Sequence, residues 1–269
     1  MPIKIAIAGA SGRMGAELIK AVAADPAFTL TLAFEQAGHA SIDTTAADGK
    51  TLIQAEPMLG EVATDVLIDF TAPVATLQFA QICRAQKTAM VIGSTGFDEQ
   101  QLQQLKQAGE DIPILFAQNM SIGVNALYRI AAYAAQILKA GRLGGGYDIE
   151  ISEEHHRHKK DAPSGTALRL GQEVAQASGS NFDEDAVFAR HGADALRGEH
   201  DIGFSVVRGG DIVGTHRVQF SGSGEQIEIT HRSASRANYV AGALRAAKFV
   251  AHATPQFYNG IDAILASEA

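Results

Sequence analysis

The residues Glu153-Glu-His-His-Arg-His-Lys-Lys-Asp-Ala-Pro-Ser-Gly-Thr166 place three His, one Arg and two Lys within positions 155–160. Imidazoles titrate near neutral pH, so such a cluster suits proton transfer beside an anionic substrate. The segment runs on into Pro163-Ser164-Gly165-Thr166, which reads as the start of a helix. Backbone N–H groups at a helix N-terminus receive carboxylates well. One segment therefore offers two anion receptors and several proton donors, and a small substrate with two carboxylates would fit. Other readings of the same residues stand beside this one. His155, His156 and His158 are possible metal ligands, but on an extended strand only His156 and His158 share a face. No Cys is nearby and no helical His pair is present, so no metal is expected. A solvated basic loop is the second alternative. A nucleic-acid patch is the third, and it is disfavoured by the acidic chain.

A second group of residues opens the chain. Gly9-Ala-Ser-Gly-Arg-Met-Gly15 follows an apolar run and precedes a helical pattern. Glycines at that place allow a tight turn and close approach of backbone to a pyrophosphate, with the helix N-terminus aimed at the phosphates. Glu35 lies 20 residues beyond Gly15, where an acidic group accepts hydrogen bonds from a ribose. The next residue is Gln36. A cation there would favour the 2′-phosphate of NADPH, so NADH is expected to serve at least as well, with Arg13 as the other residue able to reach that phosphate.

Elements must hold these groups in place. The apolar runs Ile3–Ala8, Thr29–Phe34, Asp65–Phe70, Ala89–Ile92 and Ile112–Ala117 lack alternation. Helical patterns separate them: Arg13–Ala24 with Met14, Leu18, Ile19 and Val22 on one stripe, Pro73–Gln86, and a helix capped by Asp98 and closed by Gly109. Strands buried on both faces and joined by helices predict a parallel, doubly wound sheet. Cys83 falls in the second of these helices and reads as core. After residue 120 the pattern changes. A long Ala-rich helix spans 121–140, a strand 147–152 and a helix 164–177. Three strands at 202–207, 213–220 and 226–231 follow, separated by Gly-rich turns, and the last helix spans 236–252. Consecutive strands with short turns predict an antiparallel or mixed sheet. The expected organisation is a Rossmann-like α/β domain (1–121 plus 237–269) and an α+β domain with an open mixed sheet (122–236).

Composition narrows the function. The 269 residues include 22 Lys plus Arg against 30 Asp plus Glu, a net charge of −8. That balance opposes general binding to nucleic acid or to an anionic membrane. No apolar stretch reaches the roughly 20 residues a membrane span needs. The single Cys excludes an intrachain disulfide and suits a reducing compartment. The N-terminal apolar run is too short for a signal-peptide core. A cytoplasmic protein is expected.

Three segments together resemble the dihydrodipicolinate reductase family. They are Ile7-Ala-Gly-Ala-Ser-Gly-Arg-Met-Gly15, Val91-Ile-Gly-Ser-Thr-Gly-Phe97 and the His-rich run from Glu154 into Thr166. The resemblance spans essentially the whole chain. It implies reduction of 4-hydroxy-tetrahydrodipicolinate to tetrahydrodipicolinate with NADH or NADPH, on the diaminopimelate route to lysine, by a homotetramer built through the open sheet. It implies that Gly9, Ala10, Ser11, Gly12, Arg13 and Met14 hold the pyrophosphate and Glu35 the ribose. Gly93, Ser94 and Thr95 form a further cofactor contact, and Ala117, Gln118, Asn119 and Met120 line the nicotinamide pocket. It assigns acid–base roles to His155 and Lys159, and substrate carboxylates to His156, Gly165 and Thr166. Ser94 stands where the family more often has Thr, Met120 where an aromatic residue is usual, and Gln36 where Arg is often seen. The alternatives are a reductase of another cyclic imine or dicarboxylate, and an NAD(P)-binding sensor without chemistry. Clustered proton donors beside a helix N-terminus argue against the sensor.

Overall fold

The computed structural model describes residues 1–55, 62–138 and 146–267. The chain forms two compact units, Met1–Ile122 with Arg236–Ala269, and Gly123–Ser235.

The first unit begins β1 (Ile3–Ala8), α1 (Arg13–Ala24), β2 (Phe28–Phe34), β3 (Ile53–Gln54), β4 (Val66–Asp69), α2 (Pro73–Gln86), β5 (Ala89–Ile92), α3 (Glu99–Gly109) and β6 (Pro113–Phe116). The middle of the chain supplies the second unit, reached through α4 (Ile122–Ile137). It contains β7 (Asp148–His155), α5 (Gly165–Ser178), α6 (Phe182–Asp185), β8 (Ala186–Val187), β9 (Ile202–Arg208), β10 (Gly214–Gly222) and β11 (Glu225–Ser233). The chain then returns to the first unit as α7 (Ala237–Val250), β12 (Gln256–Asn259) and α8 (Asp262–Ser267).

The seven strands of the first unit lie in the order β12-β6-β5-β4-β1-β2-β3, and every pairing is parallel. Successive side chains leave a strand on opposite faces. Ile5 and Ile7 therefore join Leu18, Ile19 and Val22 of α1 and Ala243, Ala246 and Ala247 of α7 in one core. Ala6 and Ala8 join Cys83 of α2 and Leu105 of α3 in the other. Both faces are covered, which explains the unbroken apolar runs. Strand order reverses beside β1, so a crevice opens beyond the carboxyl ends of β1 and β4, where open α/β sheets bind ligands.

The second unit has a mixed sheet, ordered β11-β10-β7-β9-β8. β7 runs parallel to β9 and antiparallel to β10. Ile149 and Ile151 of β7 pack with Leu127 and Ala131 of α4 and Leu170 and Val174 of α5. β7 is longer than predicted: it continues through Glu153 to His155, so those residues stand in a sheet. The predicted end of the Ala-rich helix, at 140, lies outside the described residues. Among the described residues no helix is long and apolar enough to cross a membrane.

Candidate active site

The glycine turn forms the first part of the site. Gly9 has φ +72°, and a Cβ on Gly15 would lie 2.0 Å from the Gly9 carbonyl oxygen, so α1 can approach the turn only with glycine there. The Ala10 N–H donates to the Phe34 carbonyl and the Gly12 N–H to the Gly9 carbonyl. Those two amides hold the turn rather than a ligand. Gly12 is the residue before α1, with no side-chain cap and no acidic residue in the first turn. The leading N–H groups of α1, from Arg13 onward, meet no intrahelical carbonyl. They form an uncontested positive end suited to phosphate.

Glu35 closes β2 beside this turn. Its Oε2 accepts the Ser11 N–H at 3.1 Å and the Ser11 hydroxyl, and its Oε1 accepts the Gln36 N–H at 3.0 Å. Partial burial opposes ionisation, but these hydrogen bonds and the nearby His39 hold the carboxyl below its usual range.

A pocket of about 230 Å³ opens farther along, lined by Met14, Phe70, Gly93, Ala117, Gln118, Asn119, Met120, Arg236 and Tyr239. The Phe70 ring lies flush on Gly93, where a Cβ would sit 2.2 Å from a ring carbon. Ser94 and Thr95 do not line it. The Ser94 hydroxyl instead donates to Oδ2 of Asp69 at 3.3 Å. Asp69 is wholly buried and also accepts from the Thr71 N–H and hydroxyl and from the Thr76 hydroxyl. Burial nevertheless pushes its pKa up. Sequence reading gave Arg236 and Tyr239 no role. They reach the pocket because the chain returns as α7 more than a hundred residues later.

In the second unit, His155 ends β7 and is 8% exposed. Its Nδ1 lies 2.5 Å from Oε2 of Glu153, two residues earlier on the same face. Glu153 is 1% exposed. Arg208 donates to both its oxygens at 2.7 Å, and the Ser164 N–H donates to Oε1 at 2.9 Å. Burial opposes the charge, yet the bonds from His155, Arg208 and Ser164 bring the Glu153 pKa down to about 2. Sheet register makes this meeting possible: His155 pairs with Arg208 on β9, and Glu153 pairs with His216 on β10. His216 lies 3.0 Å from the Ser164 hydroxyl through Nε2, and its ring meets that of His155 edge-on with centroids 5.0 Å apart. Burial, then the neighbouring His155, brings the His216 pKa down to about 3. Sequence reading gave no role to Glu153, Arg208 or His216.

Beyond β7 the chain turns. The Lys159 N–H donates to the His156 carbonyl at 3.1 Å, and the Lys159 ammonium lies 2.9 Å from Asp161. His156 and His158 belong to this turn rather than to one face of a strand, with ring centroids 6.3 Å apart. Among the described residues no cluster could hold a metal ion. Ser164 caps α5, its hydroxyl accepting the Ala167 N–H at 3.2 Å. Gly165 and Thr166 open the helix. The Ser164 N–H, which a substrate carboxylate would otherwise meet, already holds Glu153.

Residues 3–120 match the family described as "Dihydrodipicolinate reductase, N-terminus", and residues 123–265 the one described as "Dihydrodipicolinate reductase, C-terminus". Proteins named 4-hydroxy-tetrahydrodipicolinate reductase are similar over nearly their full length. The one from Thiobacillus denitrificans is 46% identical over 98% of this chain and 99% of its own. That from Ralstonia pickettii is 49% identical over 93% of this chain and 95% of its own. Among solved structures, the dipicolinate-bound dihydrodipicolinate reductase from Paenisporosarcina sp. TG-14 superimposes with a TM-score of 0.79 at 23% identity, covering 98% of this chain and 100% of that one. An amine dehydrogenase from Mycobacterium smegmatis shares the fold at a TM-score of 0.56 and 9% identity, over 96% of this chain and 94% of that one.

Proposed function

The chain belongs to the dihydrodipicolinate reductase family, and we propose that His155 and Lys159 are the acid–base pair of its NAD(P)H-dependent reaction. That reaction reduces 4-hydroxy-tetrahydrodipicolinate to tetrahydrodipicolinate in lysine biosynthesis, with loss of water from the substrate ring. The observation that carries the assignment is the buried pairing of His155 with ionised Glu153, with Lys159 in the turn that follows.

The first unit fits the cofactor. The Gly9–Gly15 cradle would be filled by a single Cβ, and α1 has no side-chain cap and no acidic residue in its first turn. Arg13 and Met14, on the turn shaped by Gly9, Ser11 and Gly12, would hold the pyrophosphate and Glu35 a ribose. Phe70, Gly93, Ala117, Gln118, Asn119, Met120, Arg236 and Tyr239 would enclose the nicotinamide. When bound, the cofactor supplies hydride to the substrate ring. Ala10 contributes through the turn it anchors, and Ser94 through Asp69.

In the second unit, the first N–H groups of α5, at Gly165 and Thr166, and the His156 ring are assigned to the substrate carboxylates. A Lys near two carboxylates keeps its charge, so Lys159 can donate a proton to the reduced ring. His155 holds or relays a proton beside it.

The proposed assembly is a cytoplasmic homotetramer. Its support is the family and the exposed Val206, Val207 and Ile227 on the strands of the second unit. Light scattering on the eluted protein tests the number of subunits.

The test of the function is oxidation of NADH and of NADPH, with substrate formed in place from pyruvate and aspartate semialdehyde by the synthase that precedes this step. Turnover is expected with both cofactors. A folded protein that binds NADH yet oxidises neither would overturn the reading.

A further inference from the structure

Glu153 is buried, charged and in contact with the proposed acid–base histidine. Its carboxylate can only accept hydrogen bonds while ionised. Arg208 grips both oxygens at 2.7 Å, which keeps the charge in place. The 2.5 Å contact with His155 Nδ1 therefore requires the imidazole proton on that nitrogen. The other ring nitrogen, Nε2, then carries the exchangeable lone pair. The strand alternation that buries Ile149 and Ile151 also aims Glu153 and His155 into one face. Across the sheet, Gly214 lies against the ring: a Cβ there would sit 3.0 Å from His155 Nε2. Glycine at that position keeps Nε2 uncrowded. The neutral His216 ring, fixed by Ser164, stands against the remaining side of the imidazole.

We propose that Glu153 is a positioning residue for the reaction: it fixes His155 as the Nδ1–H tautomer and leaves Nε2 as the atom that exchanges protons. This rests on the reading of His155 as an acid–base residue. Glu153 touches no reacting atom and acts only through the ring.

The Glu153→Gln variant separates this role from bulk packing. A glutamine has one amide NH₂ where the carboxylate had an acceptor. On the Oε1 side it would face two donors, the Ser164 N–H and Arg208. On the Oε2 side it faces Arg208 and the His155 nitrogen, which can become an acceptor by shifting its proton. The amide should therefore settle on the Oε2 side and drive His155 to the Nε2–H tautomer. In a Ser-His-Asp triad the corresponding change lowers kcat about 10⁴-fold.

The experiment is ¹⁵N imidazole spectroscopy of the full-length enzyme, wild type and variant, with His155 assigned by substitution. Wild type should show the proton on Nδ1, and Glu153→Gln the proton on Nε2. The variant's kcat should fall about 100- to 10,000-fold with NADH affinity unchanged. Glu153→Asp, which keeps the acceptor, should retain the Nδ1–H form and recover part of the rate. A wild-type His155 protonated on Nε2, or a folded Glu153→Gln that stays Nδ1–H, overturns the proposal whatever the rate. If Glu153→Gln does not fold, the wild-type spectrum and Glu153→Asp still decide it. If wild type lacks turnover altogether, the reductase assignment fails, while the tautomer measurement still judges Glu153.

Discussion

Ser11 and Glu35 lie 24 residues apart, and Ser11 gives both its backbone N–H, at 3.1 Å, and its hydroxyl to one oxygen of the Glu35 carboxylate. The glycine turn and the end of β2 are thus tied through a charge. Partial burial works against that charge, and the Ser11 and Gln36 bonds outweigh it. A 2′-phosphate brought to this carboxylate would meet like charge, and Gln36 supplies no cation to offset it.

Cofactor preference follows from that arrangement. NADH should be used at least as well as NADPH. Replacing Gln36→Arg adds a charged hydrogen bond to the 2′-phosphate, worth about 1.5–3 kcal/mol, or about 10- to 100-fold in affinity. The ratio of KM values for the two cofactors should move toward NADPH by that factor. An unchanged ratio would place the phosphate away from residue 36.

Lys159 sits in a turn, partly exposed and paired with Asp161 at 2.9 Å. Exposed ion pairs add about 0–1 kcal/mol to stability. Lys159→Ala should therefore leave the melting temperature almost unchanged. Loss of a proton donor should lower kcat by about 100- to 10,000-fold. Steady-state kinetics alongside thermal unfolding checks both halves, and a variant with near-wild-type kcat removes Lys159 from the mechanism.

Gly15 tests the cradle. In Gly15→Ala the new methyl would fall 2.0 Å from the Gly9 oxygen and 2.9 Å from Ala10 Cα, all backbone atoms. The turn must move, so NADH affinity should drop by about tenfold or more, about 1.4 kcal/mol. Calorimetric titration reads this directly. Binding at wild-type strength would show that the pyrophosphate does not lie on this turn.

These residues differ in how plainly the sequence announces them. The parallel sheet is legible because the parts of strands buried on both faces are apolar without alternation, as in residues 5–8 and 66–68. β12 escapes notice because Gln-Phe-Tyr-Asn is an edge strand, paired only with β6 and half exposed, and has no such run. Gly109 suggests a helix end and is the last helical residue of α3, and its missing side chain makes room for Phe257. The His155–Lys159 run is legible from composition alone. Glu153, Arg208 and His216 are not, because only strand register brings them together, and register is absent from a single sequence. One signal was available: Ile149, Ile151, Glu153 and His155 keep a single alternating phase. A carboxylate and an imidazole in the buried phase of a strand require partners. Arg236 and Tyr239 carry no local mark at all, since they reach the pocket by the late return of α7.

The same buried cluster sets the response to acid. The Glu153 carboxyl has a folded pKa near 2 against an ordinary value of 4.5. Its stabilising contribution is complete above about pH 4.5 and is lost as pH falls toward 2. His216 has a folded pKa near 3 against an ordinary 6.5. The unfolded chain takes up that proton first, so stability declines below about pH 6.5 and continues to fall toward 3. Acid loss should therefore arrive in two overlapping stages, His216 first and Glu153 second. His216→Asn should flatten the stage between about pH 6.5 and 4.5 in urea unfolding. Arg208→Met should act differently. It strands a buried carboxylate, which costs about 3–5 kcal/mol at neutral pH. Glu153 then favours its protonated form, so the variant should lose less further stability on acidification than wild type does below pH 4.5. A parallel pH profile for Arg208→Met and wild type would mean that Arg208 does not hold the Glu153 charge.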